Sequence, residues 1–323
     1  TTSVQVRARR TGSSCASSAY NTYTIWTLGT TPVAPALSSA TPSNGSTVCA
    51  GYNTGTVTGN DGSGGSTGAA AEYQVSIDGG SNWSAYTNST AISTTSATGS
   101  ILVRARRTGG NYGCTSTGWS TICTWYLASS MVNPVLLTAT PASGSAICAG
   151  YAVSATITPG SGGSTGATDT YQYSINNGTN WYAYTSGASI TTTGATTMVL
   201  IRASRSAGSY GCSSTGPSII AAWSVANAVV NPTLNYATPA NGSSICAGYS
   251  VGAIINAGSG GSTGAADTYE YSINNGSSWL PYSSGTAIVT TSATGNVLVR
   301  ASRSAGSYGC TGTGPTTLAS WSV

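Results

Sequence analysis

The sequence predicts an all-β chain of tandem β-sandwich domains strung in a linear rod, and three observations predict it. One stretch of alternating apolar and arginine residues recurs four times, at a spacing of about 98 residues. Turns rich in Gly, Asn and Pro separate short runs of Val, Ile, Thr, Tyr and Trp along the whole chain. No segment carries the period of an amphipathic helix.

The recurring stretch is Ile101-Leu-Val-Arg-Ala-Arg-Arg107, which returns as Val199 to Arg205 and Val297 to Arg303 and also opens the chain as Val4 to Arg10. A turn with a cysteine follows each copy, at Cys15, Cys114, Cys212 and Cys310, and all ten arginines lie in these four segments. As a strand it places Ile101, Val103 and Ala105 on one face and Leu102, Arg104 and Arg106 on the other. A one-residue slip would bury the arginines, so the register is strongly specified. Arg104, Arg202 and Arg300 therefore face outward, beside Gln74, Gln172 and Glu270. Their ordinary roles are solvation, stacking on Tyr73 or Tyr171, or an exposed Arg300–Glu270 pair contributing at most about 1 kcal/mol. The functional alternative is a basic stripe that contacts anionic glycans or other chains through many weak sites.

Residues 1–28 hold only the end of a repeat: the arginine strand, the Cys15 turn and a strand near Tyr23-Thr-Ile-Trp26. A lone two-stranded hairpin is marginal in water. Either the natural chain continues upstream or another subunit completes this hairpin. Three full repeats follow, at 31–127, 128–226 and 227–323. Each opens on a proline junction and a short strand ending in Ala-Thr-Pro (40–42, 139–141, 237–239), then reaches Cys-Ala-Gly-Tyr (49–52, 148–151, 246–249). Gly-Ser-Gly-Gly-Ser-Thr-Gly-Ala at 62–69, 160–167 and 258–265 lacks the Lys and helix of a phosphate-binding loop and reads as a flexible connection. A hairpin turning at Asp78-Gly-Gly80, Asn176-Asn-Gly178 or Asn274-Asn-Gly276 follows. A Ser/Thr-rich strand, the arginine strand and a last strand ending at Trp125, Trp223 or Trp321 complete the repeat. About seven strands in roughly 100 residues fit an immunoglobulin-like sandwich.

The chain has no His and only six carboxylates, Asp61, Glu72, Asp78, Asp169, Asp267 and Glu270. No imidazole is available for a nucleophilic triad or a metal, and no carboxylate pair recurs among the repeats. The expectation is no catalytic residue, no metal and no cofactor. The net charge of +4 carries no Lys-rich run, so nucleic acid is not an expected partner. No stretch is long and apolar enough to suggest membrane insertion. Eight cysteines at recurring positions read as disulfides and point to an oxidising, extracellular location.

Ser76-Ile-Asp78-Gly-Gly80-Ser-Asn-Trp83 resembles an Asp-box, a structural hairpin with the pattern Ser-x-Asp-x-Gly-x-x-Trp. Ser174 to Trp181 and Ser272 to Trp279 match it except that Asn176 and Asn274 replace the Asp. The whole repeat, from Ala-Thr-Pro through Cys-Ala-Gly and Tyr-Gln-Tyr-Ser to Arg-Ala-Ser-Arg and Gly-Cys, resembles the Ig-like repeats of very large secreted Bacteroidetes surface proteins. That resemblance implies export by a type IX system and a role as an adhesin or in gliding.

Two cysteine pairings are open. Cys49–Cys114, Cys148–Cys212 and Cys246–Cys310 would lie within repeats. Cys49–Cys212 and Cys148–Cys310 would join successive ones, leaving Cys15, Cys114 and Cys246 for partners outside this segment and Cys123 without a counterpart. Geometry leans to the second, because the first and last turns of a sandwich sit at opposite poles and a disulfide needs Cα atoms within about 7 Å. The function expected is the non-catalytic stalk of a long secreted bacterial adhesin or fibre, whose partners are neighbouring repeats. A self-assembling filament and a glycan-binding module are the alternatives.

Overall fold

Strand Ile101–Arg107 buries every second residue, Ile101, Val103 and Ala105, while Leu102, Arg104 and Arg106 stay partly exposed. The same alternation runs through Val297–Arg303. A computed structural model describes residues 2–323, all of whose regular elements are strands. The contacts divide them into two units.

The first unit comprises residues up to 132 with 161–168 and 206–215. Its five-stranded sheet runs Thr47–Val48, Ser120–Leu127, Ile101–Arg107, Ala71–Ser76, Ser84–Ala85. A three-stranded sheet of Leu37–Thr41, Gly55–Gly59 and Ala91–Ile92 faces it. Their inner faces close on one core that includes Val48, Val57, Ile92, Val103 and Trp125. Ser3–Ala8 and Asn21–Thr27 pair as a two-stranded hairpin. Thr30–Val33 pairs with Ser63–Gly65.

The second unit, 133–160 with 169–205 and 216–323, holds two sandwiches with separate cores. One repeats the five-plus-three arrangement: Ala146–Ile147, Ser218–Val225, Met198–Arg205, Asp169–Ser174, Tyr182–Ala183 face Val135–Thr140, Val153–Thr158, Ser189–Ile190. The other sets Leu280–Pro281, Asp267–Ser272, Val297–Arg303 and Thr316–Trp321 against Thr233–Thr238 and Gly252–Asn256.

Each sandwich is centred on one tryptophan whose indole N–H needs a buried acceptor. Trp125, Trp223 and Trp321 donate to the carbonyls of Pro42, Pro141 and Pro239 at 2.9, 2.8 and 2.9 Å. That is what the recurrent Ala-Thr-Pro is for. A buried tyrosine does similar work on the facing sheet. Tyr86, Tyr184 and Tyr282 Oη accept from the amides of Val57, Ala155 and Ala253. Burial raises the Tyr86 and Tyr184 phenols above their ordinary range.

The register between arginine and tryptophan strands shifts at Val103/Arg104, Ile201/Arg202 and Val299/Arg300, and in the hairpin at Val6/Arg7. Such a bulge re-aims the side chain beside it, here the arginine. One expectation needs correction: the Gly-Ser-Gly-Gly-Ser-Thr-Gly-Ala stretch is not a loose connection. Gly64 and Gly65 adopt φ of 73° and 93°, turning the chain so that Ser66 meets the 107–114 turn. Ser66 N and Oγ donate to Gly109 O at 2.9 and 3.0 Å, and Tyr112 N donates back to Ser66 Oγ at 2.9 Å.

Candidate functional site

Arg104 is pinned on the outer face. Its Nε and Nη2 both donate to Gln74 Oε1, at 2.9 and 2.6 Å, because the register sets the two residues opposite. Its guanidinium lies 3.9 Å from the Trp83 ring centre and 4.8 Å from that of Trp119. Arg202 repeats this with Gln172 and Trp181, and Arg300 with Glu270 and Trp279. The stacking partner is thus the hairpin tryptophan, not Tyr73 or Tyr171. Tyr73 stands opposite Ala105 and so belongs to the inner face.

Other guanidiniums are also engaged. Arg106 meets Glu72 at 2.6 Å, Arg205 meets Asp169 at 2.7 Å, and Arg303 meets Asp267 at 2.8 Å. Burial alone would raise Asp267, but hydrogen bonds from Arg303, Gly258 N and Tyr269 outweigh it and leave the carboxyl lowered. Arg104, Arg106, Arg202 and Arg300 are thus matched on the outer face, whereas Arg205 and Arg303 share the parity of buried Ala203 and Ala301 and pair at the end of the inner one.

The Ser-x-Asp-x-Gly-x-x-Trp turn that presents each tryptophan closes on itself. Asp78 Oδ1 accepts from Ser76 Oγ at 2.7 Å and Asn82 N at 2.9 Å, Ser76 Oγ accepts from Gly80 N at 2.8 Å, and Trp83 Nε1 donates to Gly80 O at 2.9 Å. The amide of Asn82 and the hydroxyl of Ser76 hold Asp78 down at about 2. Asn176 and Asn274 supply the same oxygen, accepting from Ser174 and Ser272. An oxygen is what the turn requires, not a charge.

The cysteines build a different site, and they build it twice. In the first unit Cys49 is bonded to Cys212, with Cα atoms 5.2 Å apart. Around the bond, Cys49 N donates to Tyr210 O at 3.0 Å, Thr47 N donates to Thr165 Oγ1 at 2.7 Å, and Thr165 N donates to Thr47 O at 3.0 Å. The Tyr52 and Tyr210 rings meet edge to face at 5.5 Å. In the second unit Cys148 is bonded to Cys310, again at 5.2 Å. Cys148 N donates to Tyr308 O, Ala146 N to Thr263 Oγ1, Thr263 N to Ala146 O, and Tyr151 packs on Tyr308 at 5.4 Å. Sequence reasoning placed the cysteines at these turns but missed Thr165, Thr263 and the tyrosines. The tyrosines recur within three residues of a cysteine and the threonines recur in the Gly-Ser-Thr-Gly stretch, and that recurrence was the signal.

Cys114 and Cys246, also read as disulfide cysteines, carry no bond within the described residues. Their counterparts pair with a neighbouring repeat, never within their own. Cys15 and Cys123 are free too, the latter buried. Two disulfides mark an oxidising environment. Among the described residues no cluster of His, Cys, Asp and Glu could hold a metal ion, and no helix is long and apolar enough to cross a membrane.

No family model matches the sequence, and no curated protein matches it. Solved structures do. Three N-terminal domains of the outer capsid protein Hoc of bacteriophage RB49 are 13% identical, matching 89% of this chain and 98% of that one with a TM-score of 0.38. A segment of titin is 15% identical over 88% of this chain and 99% of that one, with a TM-score of 0.34. Immunoglobulin domains 1–5 of Sidekick-1 are 10% identical with a TM-score of 0.36; 91% of this chain matches, spanning 59% of that one. The chain is an array of immunoglobulin-like sandwiches. That statement rests on its own sheets and its three tryptophan-centred cores.

Proposed function

We propose that the chain is the structural repeat region, or stalk, of a long secreted bacterial cell-surface adhesin or fibre, with no catalytic role. One observation supports this above the rest: the same junction occurs at Cys49–Cys212 and at Cys148–Cys310, with a covalent bond, a two-way threonine hydrogen bond and a tyrosine pair. Such a joint resists hinging and proteolysis, which is what a load-bearing spacer needs. The matched arginine face leaves few unsatisfied groups for a specific ligand and favours a structural role. The resemblance to repeats of secreted Bacteroidetes surface proteins agrees with an oxidising exterior.

Electron microscopy of the unreduced protein tests the proposal. Single beaded threads that advance by one sandwich per repeat, stay straight without reductant and bend with it are the expected result. Equal bending with and without reductant would overturn it.

A further inference from the structure

Four departures of the first complete repeat from the other two meet at one place. Glu72 stands where they have Thr170 and Thr268, and Asn88 where they have Ser186 and Ser284. Arg106 stands where they have Ser204 and Ser302, and Trp119 where they have Pro217 and Pro315. Strand register fixes the comparison, since Arg106 lies opposite Glu72 as Ser204 does opposite Thr170 and Ser302 opposite Thr268. The four come from separate segments of the chain, yet all of them line one cleft of about 570 Å³, together with Gln74 and Tyr86. That volume is within the roughly 300–1,000 Å³ of small-molecule sites.

The walls of the cleft are held in place. Arg106 Nε donates to Glu72 Oε2 at 2.6 Å, and both side chains stay open to water, 36% and 43% exposed. The half-buried Trp119 ring has its centre 4.7 Å from the Arg106 guanidinium and 4.8 Å from that of Arg104. Two cations against one indole fix its position. Asn88 is clamped to Gly59, accepting from its N and donating to its O at 2.8 Å each. Ser186 and Ser284 accept from Ile157 N and Ile255 N at the same point. Asn88 therefore shapes the wall, and the chemistry of the cleft falls to Glu72, Gln74, Arg106 and Trp119.

Packing explains part of this set. Arg9 lies over Tyr20 at 4.7 Å in the corresponding positions of the hairpin, so an arginine and an aromatic ring form a pair there on their own. An exposed ion pair such as Arg106–Glu72 adds little stability. Neither contact uses all of the groups it engages. Glu72 Oε1, Arg106 Nη1 and Nη2, and Gln74 Nε2 have no hydrogen-bond partner among the described residues. One acceptor and several donors are thus left beside an indole on the walls of a single cleft.

We propose that this cleft is a binding site for a short stretch of neutral saccharide, present in the first complete repeat and absent from the other two. A sugar hydroxyl donates one hydrogen bond and accepts two, so adjacent hydroxyls answer Glu72 on one side and Arg106 or Gln74 on the other. The C–H face of a pyranose ring is apolar and packs on the indole of Trp119. An acidic sugar is disfavoured, because its carboxylate would meet that of Glu72 at short range. In a basic stripe Arg104, Arg202 and Arg300 would act alike; here the specificity lies in residues that the second and third repeats lack. The site stands on its own groups, whether or not the chain serves as a stalk.

The test titrates the full unreduced chain with cellotetraose, maltotetraose, mannotetraose and galactotetraose, and with tetragalacturonate as the anionic probe, by calorimetry and tryptophan emission. The expected result is one-to-one, saturable binding of at least one neutral sugar at concentrations up to about 10 mM. Glu72→Thr and Arg106→Ser each weaken it by about tenfold or more, the loss of a hydrogen bond to a charged group. Trp119→Pro abolishes the emission change. Each variant carries the residue that the neighbouring sandwiches already have, so the fold is kept, and matching unfolding curves confirm it. No saturable binding by any neutral sugar would overturn the proposal, as would binding unchanged in Glu72→Thr or Trp119→Pro. Tetragalacturonate bound more tightly than every neutral sugar would also overturn it, since the ligand would then be an acidic glycan.

Discussion

Cys49 and Cys212 lie with their Cα atoms 5.2 Å apart although 163 residues of chain separate them. The bond closes a loop that spans more than a repeat, and long loops gain most from closure. The double variant Cys49→Ser/Cys212→Ser is expected to lose about 2–4 kcal/mol of stability in denaturant titration. Reductant opens Cys148–Cys310 as well and should lower the native chain further than the double variant. Peptide mapping of the unreduced protein should return Cys49–Cys212 and Cys148–Cys310, and a Cys49–Cys114 peptide would contradict the structure.

Gly211 and Gly113 provide a matched pair for weighing the junction itself. Both have left-handed backbones, with φ of 81° and 77°, so alanine pays a similar conformational cost at either. Only at Gly211 would the new Cβ meet a neighbour, Tyr52, at 2.9 Å. Gly211→Ala is therefore expected to cost about 1–3 kcal/mol more than Gly113→Ala. Equal losses in denaturant titration would mean that the Tyr52 contact contributes nothing.

The arginine face yields to substitution in a way that separates charge from shape. Arg104→Ala removes a forked bond to Gln74 and the stack on Trp83, together about 1–2 kcal/mol. Arg104→Lys should restore little of it, because an ammonium offers neither a planar fork nor a flat face. A lysine variant as stable as the native chain would show that charge alone matters there.

Period-two alternation was enough to orient Ile101 and Arg104, because one face of that strand is buried and the other is not. It could not show the bulge at Val103/Arg104, since the same letters alternate across it. Tyr73 neighbours the arginine strand in sequence pattern, but its parity against Ala105 sends it inward. Ser66 and Thr165 sit in a Gly-Ser-Thr composition that is shared by flexible linkers and by tight, hydrogen-bonded turns. Only the positive φ angles and the serine hydroxyl bonds distinguish the two, and composition carries neither.

Asp78 tests whether its turn uses charge or geometry. The Asn82 amide and the Ser76 hydroxyl lower its carboxyl to about 2, below its unfolded value of about 3.9. A depressed folded pKa contributes stability above the unfolded value and loses it as pH falls through the folded one. The Asp78→Asn variant is expected to melt like the native chain at neutral pH, since Asn176 and Asn274 make the same turn. It should lose the Asp78 share of the acid dependence between about pH 4 and 2, while the share of Asp267 remains. A variant destabilised at neutral pH would return the role to the charge.

Cys123 offers the opposite sign. It is buried in the first core where the other sandwiches have Ala221 and Ala319, and burial pushes its thiol up to about 11. The unfolded thiol titrates near about 8.5, so the folded chain holds the proton that the unfolded chain releases. Its contribution is complete below the unfolded pKa and is lost as pH rises through the folded one. The denaturant midpoint of the native chain should therefore fall between about pH 8.5 and 11, and Cys123→Ala should flatten that fall while costing little at neutral pH. Tyr86 and Tyr184 shift in the same direction and remain in the variant, so the difference between the two curves reports the thiol together with the part of the Tyr86 shift that it causes. Alkylation should follow the same order, fast at exposed Cys15 and Cys246 and slow at Cys123 until the sandwich unfolds. Superposed curves, or Cys123 labelled as fast as Cys15, would place the thiol in water rather than beside Trp125.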